Sequence, residues 1–243
     1  MHGVHEAAGS NPVFPTLLIK KDMSIVFLIA MDFEIENLFD LKKFKIIDKL
    51  PFIVYKDKKR DIYLIKTGMG KVNAASATQL VLQKYKIKRI INIGLVGGFN
   101  RNNKIGDILR VNKCAFHDVD VTPLNFKLGQ IPDCDVSEYC IGDNCKSLND
   151  FGQIKTVSLV SGDAFITDQK RVEEIILNFS PDVVDMELAA IAHVLHINKK
   201  LDLLESYKAI SDYANSNSSE DIFKKENVFK NLKKFVSKLI ENI

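Results

Sequence analysis

The chain has 243 residues, 46% of them hydrophobic and 27% charged, with a formal net charge of +3. That composition supports a packed core in an α/β domain and argues against disorder. A charge this close to balance, without zinc-finger, RNP or arginine-rich patterns, argues against nucleic acid as a partner. No apolar run reaches the length of a membrane span.

In chain order, residues 1–22, with His2, His5 and Gly9-Ser10, read as an appended or irregular arm, and the domain is expected over 23–243. Lys20-Lys21 before the apolar run 24–30 imitates a signal peptide. That run is short and leads into the acidic stretch 31–36, so it reads as the first strand. Further strand-length runs rich in Ile, Val and Phe lie at 52–55, 62–66, 90–93, 108–111, 157–160, 183–186 and 203–210. Between them, helical patterns fall at 72–85, 169–177 and 187–195. Phe229, Leu232, Val236, Leu239 and Ile243 recur at three- and four-residue steps as an amphipathic closing helix. Residues 114–154, with Pro123, Gly129, Pro132 and Gly142, read as a long loop region. Cys114, Cys134, Cys140 and Cys145 lack the C-x-x-C spacing of a zinc site. Reduced thiols in a cytoplasmic protein are the expectation, with a disulfide or loose metal site as the competing reading. Strands alternating with helices predict a single α/β domain with a central mixed, mostly parallel twisted sheet flanked by helices.

Five segments leave a strand on residues suited to chemistry: Met31-Asp32-Phe33-Glu34, Gly94-Leu95-Val96-Gly97-Gly98, Ser161-Gly162-Asp163-Ala164-Phe165, Asp185-Met186-Glu187 and Ser211-Asp212. In open α/β sheets ligands bind beyond the carboxyl ends of strands, so these segments together predict a site. Two acids in different settings are what cleavage of a glycosidic bond requires. The run 94–98 is expected to be a tight glycine turn. It has neither the G-x-G-x-x-G spacing of a dinucleotide site nor the Gly-Lys-Ser/Thr of a P-loop. Gly68 and Gly70 in Thr67-Gly68-Met69-Gly70-Lys71 read as structural, releasing a strand into a helix.

With His117-Asp118-Val119-Asp120-Val121-Thr122, Gly129-Gln130-Ile131-Pro132, Ser161–Ile166 and Ala209-Ile210-Ser211-Asp212 added, the order of segments resembles the purine nucleoside phosphorylase superfamily. The resemblance is to its hydrolytic branch, the 5′-methylthioadenosine/S-adenosylhomocysteine nucleosidases, and it covers nearly the whole chain from residue 24. It implies a nucleoside phosphorylase-like fold, a small-molecule nucleoside substrate, no cofactor and no metal. It also implies a homodimer, with the loop around 121–132 crossing the interface. Asp212 is similar to the family's general acid at purine N7, with Ser211 orienting it. An acid in that role must hold a proton near neutral pH, which burial or neighbouring carboxylates favour. Glu34 is similar to the carboxylate that activates water, and Asp32 and Glu36 beside it are expected to be solvated. Glu187 would accept from the ribose hydroxyls, Met186 would pack on the sugar, and Asp185 either assists or forms a structural salt bridge. Phe165 would stack on the purine, and the backbone of Ile166 would meet the adenine edge. Met31, Met69, Val121 and Pro132 would wall the 5′-thioalkyl slot, completed by Phe126 of a second subunit and by Ile222 or Phe223.

The chain departs from the family's pattern at Leu95, where Ser or Thr is usual, and at Lys208, where Arg is usual; both positions lie near the ribose and the water. Lys keeps the charge but not the planar fork. Three rivals follow: a phosphorylase, a hydrolase of another adenosine derivative such as aminofutalosine, and a catalytically impaired nucleoside-binding protein. The absence of Arg from the five segments and the acid at Glu34 disfavour phosphate as nucleophile, while the retained acids disfavour a mere binding protein.

Overall fold

The structure, a computed structural model, describes residues 23–100, 102–142, 154–215 and 226–242. The expectations for 1–22, Cys145, Ile222, Phe223 and Ile243 lie outside those residues. The strands are β1 (Ser24–Ile29), β2 (Phe44–Asp48), β3 (Ile53–Asp57), β4 (Ile62–Lys66), β5 (Ile87–Gly98), β6 (Ile108–Phe116), β7 (Glu138–Cys140), β8 (Lys155–Ser161), β9 (Val183–Asp185) and β10 (Leu204–Asp212). The helices are α1 (Asp32–Leu38), α2 (Lys71–Lys84), α3 (Gln169–Phe179), α4 (Leu188–Ile197) and α5 (Glu226–Glu241).

β1 is buried along its length because it is covered on both faces. Val26 and Leu28 enter one core and Ile25, Phe27 and Ile29 the other, following the two-residue period of a strand. The first core is closed by α2 and α4, where Ala74, Ala77, Ala189 and Ala192 are all fully buried and let the two helices lie close. On the second face α1 contributes Ile35 and Leu38, and α5 contributes Val228, Leu232, Val236 and Leu239. Val172 and Ile175 of α3 cover a third, smaller cluster with Val160, Ile166 and Val184.

β1 pairs in parallel with β4 and β5, and β3 and β2 extend the sheet antiparallel beyond β4. On its other side β5 pairs in parallel with β10. The path then runs through β6, β8 and β9 and returns to β5, whose end meets β9 antiparallel at Gly97 and Gly98. The sheet is therefore mixed, and five of its strands close into a ring.

Three local features differ from expectation. Residues 94–98 are the continuation of β5, because Gly94 to Val96 pair in register with Lys208 to Ile210 of β10 and, after a register shift at Ser211, Gly97 pairs with Asp212. The expected loop at 114–154 begins as strand, since β6 runs to Phe116, and it contains β7. α1 and β2 were not read from sequence: one has only seven residues, and the other is largely exposed.

Candidate active site

A cavity of about 280 Å³ lies where the ends of β1, β5, β9 and β10 meet the loop after β8. Parallel carboxyl ends alone do not assemble it. β9 runs against β5, and ring closure carries Asp185-Met186-Glu187 to the segment of β5 that faces Asp212.

Glu34 sits in the first turn of α1 and is 1% exposed. Its carboxylate accepts from the Met31 N–H and from the Leu95 N–H, each at 3.1 Å. The first bond reaches back to the helix N-cap. Burial raises its pKa from 4.5 to about 7, against the opposing pull of Lys208 and the backbone donors. Asp32 and Glu36, its neighbours in sequence, are exposed.

Asp212, at the end of β10, is also buried. Its Oδ2 accepts from Ser211 Oγ at 2.6 Å and its Oδ1 from the Ala214 N–H at 2.8 Å. Ser211 Oγ is also 3.1 Å from the Val96 carbonyl oxygen. Both acids press on glycines of β5: a Cβ on Gly94 would lie 3.0 Å from Glu34 Oε1, and one on Gly97 would lie 3.2 Å from Asp212 Oδ1. Those glycines lie three residue steps apart along the strand, about 10 Å.

Glu187 precedes α4, and its Oε1 accepts from the Gly70 N–H at 2.8 Å. Its pKa is raised to about 7, first by burial, then by Asp185, with Lys208 and Gly70 opposing and Glu34 adding a further push upward. Asp185 has its oxygens engaged within the protein. Oδ2 pairs with Lys208 Nζ at 2.7 Å, both side chains being 2% exposed. Oδ1 accepts from Ser161 Oγ at 2.6 Å and from the Glu187 N–H at 3.1 Å, and the Leu188 N–H lies within reach of both oxygens. Ser161 Oγ in turn accepts from the Ala189 N–H at 2.9 Å. Of the two readings of Asp185, this geometry is that of the structural salt bridge, and Lys208 is its partner.

Against these fixed polar groups the family comparison decides the class. Over residues 24–243 the sequence matches the family model of the phosphorylase superfamily. A 5′-methylthioadenosine/S-adenosylhomocysteine nucleosidase of Bacillus subtilis is 37% identical over 165 residues, 65% of this chain and 71% of that protein. The chain belongs to this nucleosidase family. The solved nucleosidase of Neisseria meningitidis, in complex with methylthio-immucillin-A, aligns with a TM-score of 0.80 at 26% identity, over 90% of this chain and 99% of the other. A futalosine hydrolase of Helicobacter pylori aligns at 0.82 and 22% identity, over 91% and 98%, a likeness of fold alone.

Most of the residues that the nucleosidase resemblance singled out are brought together: Met31, Glu34, Met69, Leu95, Phe165, Ile166, Asp185, Met186, Glu187, Lys208, Ser211 and Asp212 all line the cavity. Val121, Phe126 and Pro132 do not line it within this chain. They lie in the segment that follows β6. Leu95 also packs into the core beneath α1 and α5, which accounts for an apolar residue there. Asn92 is a lining residue that sequence reasoning missed; its amide donates to the Leu28 carbonyl and accepts from Ser206. A buried Asn inside an apolar strand was the available signal. Gly70 was read as structural only, and its N–H is a direct partner of Glu187.

Away from the cavity, Cys134 Sγ, Asp135 Oδ1 and His196 Nε2 lie within 4.8 Å of one another. His196 and Asp135 are joined by a 2.6 Å hydrogen bond, and the Tyr139 hydroxyl links Cys134 to His193, so hydrogen bonding accounts for the group.

Proposed function

We propose that this chain hydrolyses the N-glycosidic bond of 5′-methylthioadenosine and S-adenosylhomocysteine, releasing adenine and the thioribose sugar. The observation that carries this reading is the pair of buried carboxylates, Glu34 and Asp212, held against Gly94 and Gly97 of one strand. A nucleoside between them has its anomeric carbon towards Glu34 and its purine towards Asp212. Glu187 accepts from the ribose hydroxyls, Phe165 stacks on the base, the backbone at Ile166 meets the adenine edge, and Met186 packs on the sugar.

Glu34 takes a proton from water as the oxygen attacks C1′. The C1′–N9 bond breaks, its electron pair passes into the purine, and Asp212 delivers a proton to N7 so that adenine leaves neutral. Ser211 Oγ donates to Asp212 Oδ2 at 2.6 Å and so orients the carboxyl towards the base. Phosphate is a poor rival nucleophile. The cation among the described lining residues, Lys208, is already paired with Asp185, and Glu34 and Glu187 would repel a dianion. Asp212→Asn and Glu34→Gln should each lower adenine release by about 10²-fold or more while methylthioadenosine still binds by calorimetry. Near-normal release by either variant would remove that residue from the chemistry.

A homodimer is part of the proposal. Leu124 and Met69 are 67% and 57% exposed and lie in the segments that would wall the 5′-slot, so a second copy offers them cover. Equilibrium sedimentation should give twice the chain mass; a monomer that turns over substrate would contradict it. The reaction fits the cytoplasm, where the free thiols of Cys114, Cys134 and Cys140 would stay reduced. No described helix is long and apolar enough to cross a membrane.

A further inference from the structure

The His117-Asp118 pair that follows β6 takes no part in the chemistry above, yet it joins the two loops that hold the substrate. Both Asp118 oxygens accept from Lys71 Nζ at 2.7 Å, and Oδ2 also accepts from the Asp163 N–H at 2.8 Å. The Lys71 N–H donates to Asp163 Oδ1 at 2.7 Å, and Lys71 Nζ lies 3.9 Å from Asp163 Oδ2. The ammonium also stands over the Phe116 ring, 5.5 Å from its centroid. Beneath this triad the chain is pressed together: a Cβ on Gly162 would lie 2.3 Å from His117 Nε2 and 2.9 Å from Asp118 Cγ. Residue 162 therefore rests directly on the 117–118 platform.

The triad spans three separate segments. One is the turn into α2, where Gly70 donates to Glu187. Another is the end of β6. The third is the loop carrying Phe165 and Ile166. We propose that Asp118, with Lys71, is a positioning residue that locks the purine-binding loop 163–166 against the turn 68–71, whose Gly70 N–H holds the ribose-binding Glu187, so that base and sugar are bound as one rigid unit. The inference rests on the nucleosidase reading and deepens it. The bonds are charge-assisted and largely shielded, the Lys71 and Asp118 side chains being 20% and 18% exposed. They connect loops, whereas β6 and β8 are already joined by their own ladder. Loss of the lock therefore loosens the loop before it loosens the fold, and the ordering cost falls on substrate binding.

The test compares Asp118→Asn, Lys71→Met and Lys71→Arg in the full chain, by steady-state kinetics on methylthioadenosine and by calorimetric binding of adenine. For Asp118→Asn and Lys71→Met, KM and the adenine Kd should each rise about tenfold with kcat within about threefold of the parent, and Lys71→Arg should stay near the parent. Unchanged KM and adenine affinity in both disrupting variants would overturn the lock while leaving the nucleosidase reading intact. A fall in kcat alone would overturn it as well. If Asp118→Asn does not fold, Lys71→Met decides; should that variant also unfold, the triad is structural and the proposal fails. A parent that neither binds nor cleaves methylthioadenosine removes the reading itself.

Discussion

Glu34 shares its stretch of sequence with Asp32 and Glu36, and what separates the three is burial. Glu34 falls on the inward stripe of α1 with Ile35 and Leu38, whereas its neighbours face solvent. The sequence could not choose among the three without the family resemblance, because a seven-residue helix shows too little periodicity. Its elevated pKa has two consequences. In the proposed mechanism Glu34 is the base and is protonated below about 7, so kcat/KM should fall as pH drops through that value in a rate profile. Stability moves the other way. The native carboxyl holds a proton that the unfolded chain releases above 4.5, so its contribution is complete below 4.5 and lost as pH rises through about 7. That shift amounts to on the order of 3 kcal/mol. Glu34→Gln should flatten the decline in urea-unfolding free energy between pH 4.5 and about pH 7; an unchanged slope would assign the decline to other groups. Asp185 was undecided in sequence for a different reason: its partners Ser161 and Lys208 are distant along the chain and meet it only after the ring closes.

Among the elements, β5 is where sequence reasoning and structure part most clearly. Glycines at 94, 97 and 98 carry the signature of a turn, but here they make room for side chains arriving from α1 and β10. Gly97→Ala would place a methyl group 3.2 Å from Asp212 Oδ1 and from Val184 Cγ1, and 3.3 Å from Ala214 Cβ. Overpacking of this kind costs about 1–3 kcal/mol. The variant should therefore melt earlier and lose kcat more than it gains KM, since the acid is displaced while Glu187 stays in place. A variant with parental kcat would show that Asp212 tolerates movement. The buried strands and the helices α3 to α5 were legible because each carries an apolar run or stripe, and α2 because it is rich in good helix formers such as Ala. β2 and β7 were not: one is half solvated and the other has three residues, so neither leaves a pattern in the sequence.

For the molecule as a whole, alternation of strands and helices made the α/β class legible, while closure of the ring was not. Closure depends on β5 pairing with both β9 and β10, and no local signal specifies contacts so far apart in sequence. Yet closure is what sets Glu187 and Asp212 beside the strand that also faces Glu34, the arrangement on which the proposed site for base, sugar and water rests. Val121, Phe126 and Pro132 stand outside the cavity, and it is the proposed homodimer that would bring them to the 5′-slot. The central claim is that water, not phosphate, attacks the sugar. Its most direct test is to follow products from methylthioadenosine in buffer freed of phosphate and again with phosphate added. Adenine and free methylthioribose should appear at the same rate in both. Release that requires phosphate and yields a sugar 1-phosphate would contradict it.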